Sequence, residues 1–232
     1  KPLEKHFPNH AEQIQTIATL KLLKDLPIKQ TKDLFEKQYL SKNTNPALCE
    51  NSISNMYEYL GRDLKSQYDF FNEFINEKDF YAYDLSSIFS YSKNINLAEK
   101  GYNPQSKSQN QINMLMLFSV TKNIPAMLKP MPGSIKDVKS LKHEINNIEA
   151  KEITLVVDRG FAQKNWKKDF KNLKKNFKFV LPLRKNFSII NYDIEMIDMF
   201  TYKKRGIRFG VKKTDYGTLY LFEDLKLRAE EE

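Results

Sequence analysis

One cysteine, Cys49, stands in 232 residues, which excludes an internal disulfide framework and a cysteine-rich zinc site. That usage fits a reducing cytoplasm. Long apolar runs are missing too. The longest, Ile112 to Val120, reaches about half the length that a membrane-crossing helix needs. The amino-terminal residues KPLEKHFPNH hold no apolar stretch of the kind that precedes a secretory cleavage site. They also lack a starting Met, so a processed chain or a fragment is expected. No phosphate-binding GxxxxGK[ST] and no dinucleotide-binding GxGxxG occurs. Internal repeats and long low-complexity linkers are likewise absent.

Cations are what the chain has in excess. Lysine and arginine number 38 against 29 acidic residues, a formal charge of +9 and a pI near 9.3. This balance favours an acidic partner, nucleic acid foremost, because clustered Lys and Arg displace counterions from phosphates. A chain crowded with Lys, Asn and Ile reaches the same pI through AT-rich coding alone, so charge leaves both readings open. Hydrophobic residues make up 41% of the sequence, enough for a real core and against wholesale disorder.

Residues 1–78 read as a helical amino-terminal region. Ile14, Ile17, Ala18 and Leu20 to Leu23 recur at helical spacing until Pro27 stops the run. A second helix is expected over Thr31 to Tyr39. A third, in NSISNMYEYLGRDL, has Asn51 and Ser52 as caps and Ile53, Met56, Tyr57 and Leu60 on one face. A fourth runs through Tyr68, Phe71, Phe74 and Ile75. The group suits a helix-turn-helix DNA reader or a plain helical subdomain, and no recognition helix stands out.

From Asp79 the period changes. DFYAYDLS alternates and is rich in aromatics, a strand signal. QINMLMLFSV and IPAMLKPM follow as two strands joined by the short link Thr121 to Asn123, as in an antiparallel hairpin. Asp137 to about Ala150 reads as a helix. ITLVVD has the continuous apolar run of a strand buried on both faces. Gln163 to Asn176 is an amphipathic helix on Trp166, Phe170 and Leu173, and FKFVLPL is another buried strand. Three antiparallel strands followed by βαβ crossovers give a mixed α/β fold with the ordering of a ribonuclease-H-like core, over residues 79–185. Residues 186–232 form a β-rich insertion segment (IRFGVKK, GTLYLFED) that ends in the acidic RAEEE, expected to fray.

Asp158 is the sharpest chemical signal. It follows the run Leu155, Val156 and Val157 at the carboxyl end of a central strand, where open α/β sheets bind ligands. An aspartate there also caps a following turn, and the pattern alone leaves both roles open. Asp84 shares a strand face with Phe80 and Ala82, and a carboxylate on an apolar face needs a partner or an ion. In the ribonuclease-H ordering the first strand neighbours the fourth, which pairs Asp84 with Asp158. Mg²⁺ prefers such hard oxygen donors. Two ions about 4 Å apart would serve phosphodiester chemistry by activating one oxygen and stabilising the other. Weaker features remain. His6 and His10 are four apart but separated by Pro8. The lysines from Lys164 to Lys178 suit DNA phosphates or an ordinary solvated face equally. Ser86 stands where a DxD phosphatase would carry its second aspartate.

YDLSSIFSYS, GYNP, QINMLMLFS, IPAMLKPMPGSIKDVKSL, VVDRGFAQKNW and FKFVLPLR, in this order, resemble blocks of the DDE transposases of bacterial and archaeal insertion sequences, in the subgroup with the YREK signature. The likeness covers roughly Asp79 to Asp224. It implies that Asp84 and Asp158 are two of three catalytic acids, that Mg²⁺ or Mn²⁺ is the cofactor, and that transposon ends and target DNA are the partners. The implied reaction is cleavage of transposon ends by water, then attack of the freed 3′-hydroxyl on target DNA. Arg159 and Arg184 are expected to face that DNA. Pro132, Gly133 and Asp137 match the family's proline-glycine-asparagine turn and downstream aspartate, with Ser134 replacing the Asn and Asp137 read as a helix cap. The third acid, a glutamate in a Tyr-x2-Arg-x3-Glu-x6-Lys pattern, is not found. Glu223 follows Tyr220 without the Arg, so the chain is expected to stop before that helix and to be inactive by itself. A homodimer of the full-length protein and a nucleoid-associated, cytoplasmic place complete the expectation, with no membrane partner. Two alternatives stand beside it: a catalytically dead, transposase-derived DNA-binding protein, and a related nuclease of the same fold.

Overall fold

The computed structural model describes residues 1–101, 109–135, 148–162, 177–190 and 192–227. The helices expected within 137–150 and 163–176, the cap at Asp137, most of the lysine face from Lys164, Tyr102 to Pro104 of GYNP and the acidic tail lie outside those residues. Residues 148–150, at the end of the first of these helices, are described and are not helical. The chain divides into two compact units, Lys1–Val156 with Leu173–Val180, and Val157–Asn172 with Leu181–Glu232.

The first unit opens with five helices, α1 (Pro2–His6), α2 (Ala11–Leu23), α3 (Thr31–Glu36), α4 (Glu50–Arg62) and α5 (Leu64–Asn72). Proline at the start of α1 removes no hydrogen bond, because the first N–H groups of a helix are unpaired anyway. Ile17 and Leu20 of α2, Phe35 of α3, Leu48, and Ile53 and Met56 of α4 share one buried cluster. Each such side chain contributes roughly 1.5–3 kcal/mol by leaving water. Two expectations fail in α4. Cys49 rather than Asn51 or Ser52 precedes the helix and no side chain caps it; Ser52 Oγ instead accepts from Gln13 Nε2 at 3.2 Å. Tyr57 is exposed, so the buried stripe is narrower than expected. Helix α5 is capped by Asp63, which accepts from Ser66 N at 3.1 Å, and it stops before Phe74 and Ile75.

A five-stranded sheet follows, with β1 (Phe80–Ser90), β2 (Asn110–Ser119), β3 (Ile124–Pro132), β4 (Thr154–Val157) and β5 (Lys178–Val180) in the order β3-β2-β1-β4-β5. β1 and β2 pair antiparallel, as do β2 and β3, while β4 and β5 are parallel. This is the mixed sheet expected of a ribonuclease-H-like core. The β2–β3 link bends at Asn123, whose φ of 57° suits an asparagine. One face of the sheet is built from Tyr81, Tyr83, Leu115, Leu117, Met127 and Leu155, all buried.

Asp79 locks the start of β1 to its neighbours. Its buried carboxylate accepts from Ser119 Oγ at 3.0 Å, from Thr121 Oγ1 and from Phe80 N at 2.6 Å, while its carbonyl accepts from Thr154 N at 2.9 Å. Burial pushes this carboxyl up, but the donors more than offset it, and it is held below the ordinary value of 3.8.

Two strand expectations need correction. β4 alternates between half-buried Thr154 and Val156 and buried Leu155 and Val157, so one face alone is fully covered. β5 is an edge strand with Lys178 and Val180 exposed, because only β4 pairs with it.

The second unit contains an antiparallel meander, β6 (Met196–Tyr202), β7 (Arg205–Thr214) and β8 (Gly217–Asp224). β7 and β8 fit the expected β-rich segment. β6 escaped sequence reading because a register shift between Met196 and Asp198 breaks its alternation. Among the described residues, no helix is long and apolar enough to cross a membrane.

Candidate active site

Asp84 lies midway along β1, in register with Met116 of β2, and its side chain is exposed. Phe80 on the same face is half-exposed, so that face is not the apolar surround that the alternation suggested. The demand for a charge partner inside an apolar layer falls away. What remains is an accessible carboxylate on a central strand, one residue after the buried Tyr83 and two before Ser86.

The structure gathers several motif blocks at the carboxyl end of β1. Ser87 Oγ donates to Asn113 Oδ1 at 2.9 Å, across the register pair Ser87–Asn113. The Asn113 amide in turn donates to the carbonyls of Gly133 at 3.2 Å and Ile135 at 2.9 Å. Gln111 Nε2 donates to Asn113 Oδ1 at 3.0 Å and to Gly133 O at 3.2 Å. Gln111 and Asn113 are both buried, so these bonds form where an unmet polar group is costly. They fasten the Pro132–Ile135 turn to β2.

Two glycines complete the fastening. Gly133 N donates to Leu97 O at 3.0 Å, and Glu99 and Gln111 exchange backbone bonds of 3.1 and 2.9 Å. A Cβ on Gly133 would lie 2.6 Å from Glu99 O and closer still to Gln111 O. A Cβ on Gly101 would lie 2.5 Å from Gln111 Nε2 and would also collide with Gly133 O. Only glycine permits this approach of three chain segments. Sequence reading picked out the GYNP, QIN and PGS blocks without seeing that they meet. The signal was there in the polar residues Gln111 and Asn113 at inward positions of an otherwise apolar strand.

Asp158 is the first residue beyond β4 and is exposed. It precedes a 3-10 turn, Arg159–Phe161, where its side chain accepts from Gly160 N at 3.4 Å and its carbonyl from Phe161 N at 3.0 Å. The long side-chain bond leaves most of the carboxylate's acceptor capacity to other donors or ions. Phe161 and Ala162 are buried and anchor the turn. Arg159 is exposed beside Asp158, and Arg184 is exposed in the segment after β5, its carbonyl accepting from Phe187 N at 3.1 Å. Asp158, Arg159 and Arg184 belong to the second unit and Asp84 to the first.

Other titratable groups are engaged elsewhere. His6 Nε2 and Lys5 Nζ both contact Glu73, whose carboxyl they hold below its usual range, while His10 Nδ1 meets Gln13 Oε1 at 3.3 Å. The two histidines therefore share no site. Glu223 lies on β8, with Arg208 of β7 at 3.6 Å, on a strand rather than on the helix that a third acid of the family requires. Among the described residues, no group of three or more His, Cys, Asp or Glu side chains is placed to hold a metal ion. Asp84 and Asp158 nonetheless fit a hard divalent cation in kind: both are accessible carboxylates, and Mg²⁺ takes one or two carboxylates while keeping several waters.

No curated protein matches the chain. Among solved structures, the chain is similar to the piggyBac transposase in a synaptic complex with hairpin DNA, with 13% sequence identity and a TM-score of 0.43. That match covers 91% of this chain and 51% of the piggyBac chain, so this chain spans about half the length of its structural relative. The family profile of the transposase DDE domain matches residues 86–228, more than half of the chain, a stretch that includes Asp158 and begins just after Asp84. By that match, this chain belongs to the DDE-domain transposases.

Proposed function

We propose that the protein cleaves transposon DNA ends and joins them to target DNA, with Asp84 and Asp158 as two of its metal-holding acids. The observation that carries this reading is the family match. The transposase DDE domain covers residues 86–228, and within it Asp158 stands as an exposed carboxylate directly after β4, while Asp84 is an exposed carboxylate on β1. The convergence of the motif blocks at the carboxyl end of β1 adds support, since that end of an open sheet is where ligands bind.

The cation would be Mg²⁺ or Mn²⁺. When bound, it lowers the pKa of an attacking oxygen and neutralises charge on the leaving one. The chain's own residues would hold and orient: Asp84 from a rigid central strand, Asp158 from a turn fixed by buried Phe161. Arg159 and Arg184 would bind phosphates near the site, where a guanidinium offers paired donors. Membership of the YREK subgroup and action on an insertion sequence belong to the same proposal. So does the division into a helical region (1–78), a catalytic core (79–185) and an insertion segment (186–232).

The test is strand cleavage and joining on DNA that carries matching transposon ends, in Mg²⁺ or Mn²⁺, by the full-length protein. Asp84→Ala and Asp158→Ala are expected to reduce both steps to background while circular dichroism stays unchanged, because both side chains are exposed. Undiminished cleavage by Asp158→Ala would remove the reading. Cleavage without joining would assign a nuclease instead, and salt-sensitive binding without either step a DNA-binding protein.

A further inference from the structure

Ser86 follows Asp84 by two residues in β1, and the cleavage reading leaves it without a role. The register sets Asp84 opposite Met116 and Ser86 opposite Met114, so the strand is regular there and both side chains stand on one face. Both are exposed. Their neighbours on that face are Ala82, Ile88 and the thioethers of Met114 and Met116, which are poor hydrogen-bond partners.

The other serines of the strand are engaged. Ser87 Oγ donates to Asn113 Oδ1 at 2.9 Å, and Ser90 Oγ accepts from Ser92 N at 3.2 Å. Ser86 Oγ has no hydrogen bond with any described residue. Exposure alone assigns it nothing, since water satisfies an open hydroxyl at no cost. Its position does more. A DxD pair on a strand sets two carboxylates over one ion, and here the second place holds a neutral hydroxyl. Strand residues two apart lie roughly 6.8 Å from each other, too far for a direct bond between these side chains. A cation about 2 Å from Asp84, one of its waters about 2 Å further and a hydrogen bond of about 2.8 Å together cover that gap.

We propose that Ser86 is a positioning residue, whose hydroxyl accepts a hydrogen bond from the hydration water of the divalent cation that Asp84 holds. Mg²⁺ keeps several waters when a protein binds it through one or two carboxylates, and the protons of those waters need acceptors. Outer-shell acceptors of this kind orient what surrounds a metal. A hydroxyl does so without adding negative charge, which leaves the cation's charge to the phosphate. This role rests on Asp84 as a metal-holding acid and makes no use of Asp158.

Mn²⁺ titration of the full-length protein, followed by electron paramagnetic resonance, reads the role without DNA or turnover. Ser86→Ala is expected to weaken Mn²⁺ binding by about 10-fold, the low end for loss of an outer-shell partner, with circular dichroism unchanged. Ser86→Thr keeps the hydroxyl and is expected to bind as wild type does. Ser86→Asp completes a DxD pair and is expected to tighten binding by about 10-fold through the added ligand charge. Weakening in Asp84→Asn with wild-type affinity in Ser86→Ala would overturn the role of Ser86 and leave that of Asp84 standing. An unchanged affinity in Asp84→Asn would remove both. Equal weakening in Ser86→Ala and Ser86→Thr, or no gain in Ser86→Asp, would also overturn the proposal. Wild-type Mn²⁺ affinity in Ser86→Ala together with weaker binding of duplex DNA would assign the hydroxyl to a phosphate instead.

Discussion

Replacing Gly133 by alanine adds a single methyl group, yet its expected cost is several kcal/mol. The new Cβ would stand 2.6 Å from Glu99 O and nearer to Gln111 O, both backbone atoms of segments that pair with each other. No side chain can swing aside, so the Pro132–Ile135 turn has to move away from β2 by roughly 1 Å, a shift large enough to break hydrogen bonds. That movement breaks the bond from Gly133 N to Leu97 O and those from the Gln111 and Asn113 amides to Gly133 O. At about 1 kcal/mol for each of the three, with overpacking strain of about 1–3 kcal/mol added, the loss comes to about 4–6 kcal/mol. Urea unfolding followed by circular dichroism measures it, and with a slope of about 2–3 kcal/mol/M the midpoint is expected to drop by more than about 1 M. Gly61→Ala is the control of opposite sign. Gly61 is exposed near the end of α4 with nothing within 4 Å of its built Cβ, so alanine there should stabilise by about 0.5–1 kcal/mol. A Gly133→Ala midpoint within about 0.3 M of wild type would refute the close-approach reasoning.

Asp79 sets part of the acid limit. Its folded pKa lies below the ordinary 3.8, so its stabilisation is present above that value and is lost as pH falls from about 4 towards the folded pKa. Asp79→Asn should lower stability at neutral pH by about 1–3 kcal/mol and flatten the decline below pH 4, read from urea midpoints across pH; an equally steep decline in the variant would contradict the assignment. Asn113→Leu removes a buried amide that serves three segments, and the carbonyls of Gly133 and Ile135 lose a donor. A loss of about 2–4 kcal/mol is expected in thermal unfolding, and a loss below about 1 kcal/mol would show the network to be dispensable. Ile53→Ala, at a fully buried site in the helical cluster, should cost about 2–5 kcal/mol in the same assay, and a negligible change would move the core of that cluster elsewhere.

Strand existence was legible in the residues because burial on one face writes a period of two into the chain. β2 shows this most clearly: Gln111, Asn113, Leu115, Leu117 and Ser119 are buried and every residue between them is half-buried. The β2–β3 hairpin was equally readable, since Thr121 to Asn123 leave room for nothing but a tight return. Burial depth was less readable. The apolar letters of ITLVVD and FKFVLPL look alike, but an edge position exposes Val180 while a central one covers Leu155. Depth depends on which strands lie alongside, and that is a long-range property. Cap assignment at α4 failed for a related reason. Ser52 has a partner in Gln13, far away in sequence, and so is not available to the helix end. The candidate acids were legible as residue types at strand positions. The glycine and amide fastening near Asp84 was not, because Gly101, Gln111 and Gly133 converge only once the sheet has formed.

Manganese binding tests the role of the two aspartates most directly. Electron paramagnetic resonance counts free Mn²⁺ during titration of wild type, Asp84→Asn and Asp158→Asn, and needs no DNA and no turnover. If both carboxylates hold one cation, either substitution should weaken Mn²⁺ at the same site by about 10-fold or more, and the double variant should weaken it little further. Wild-type affinity in both single variants would contradict the assignment.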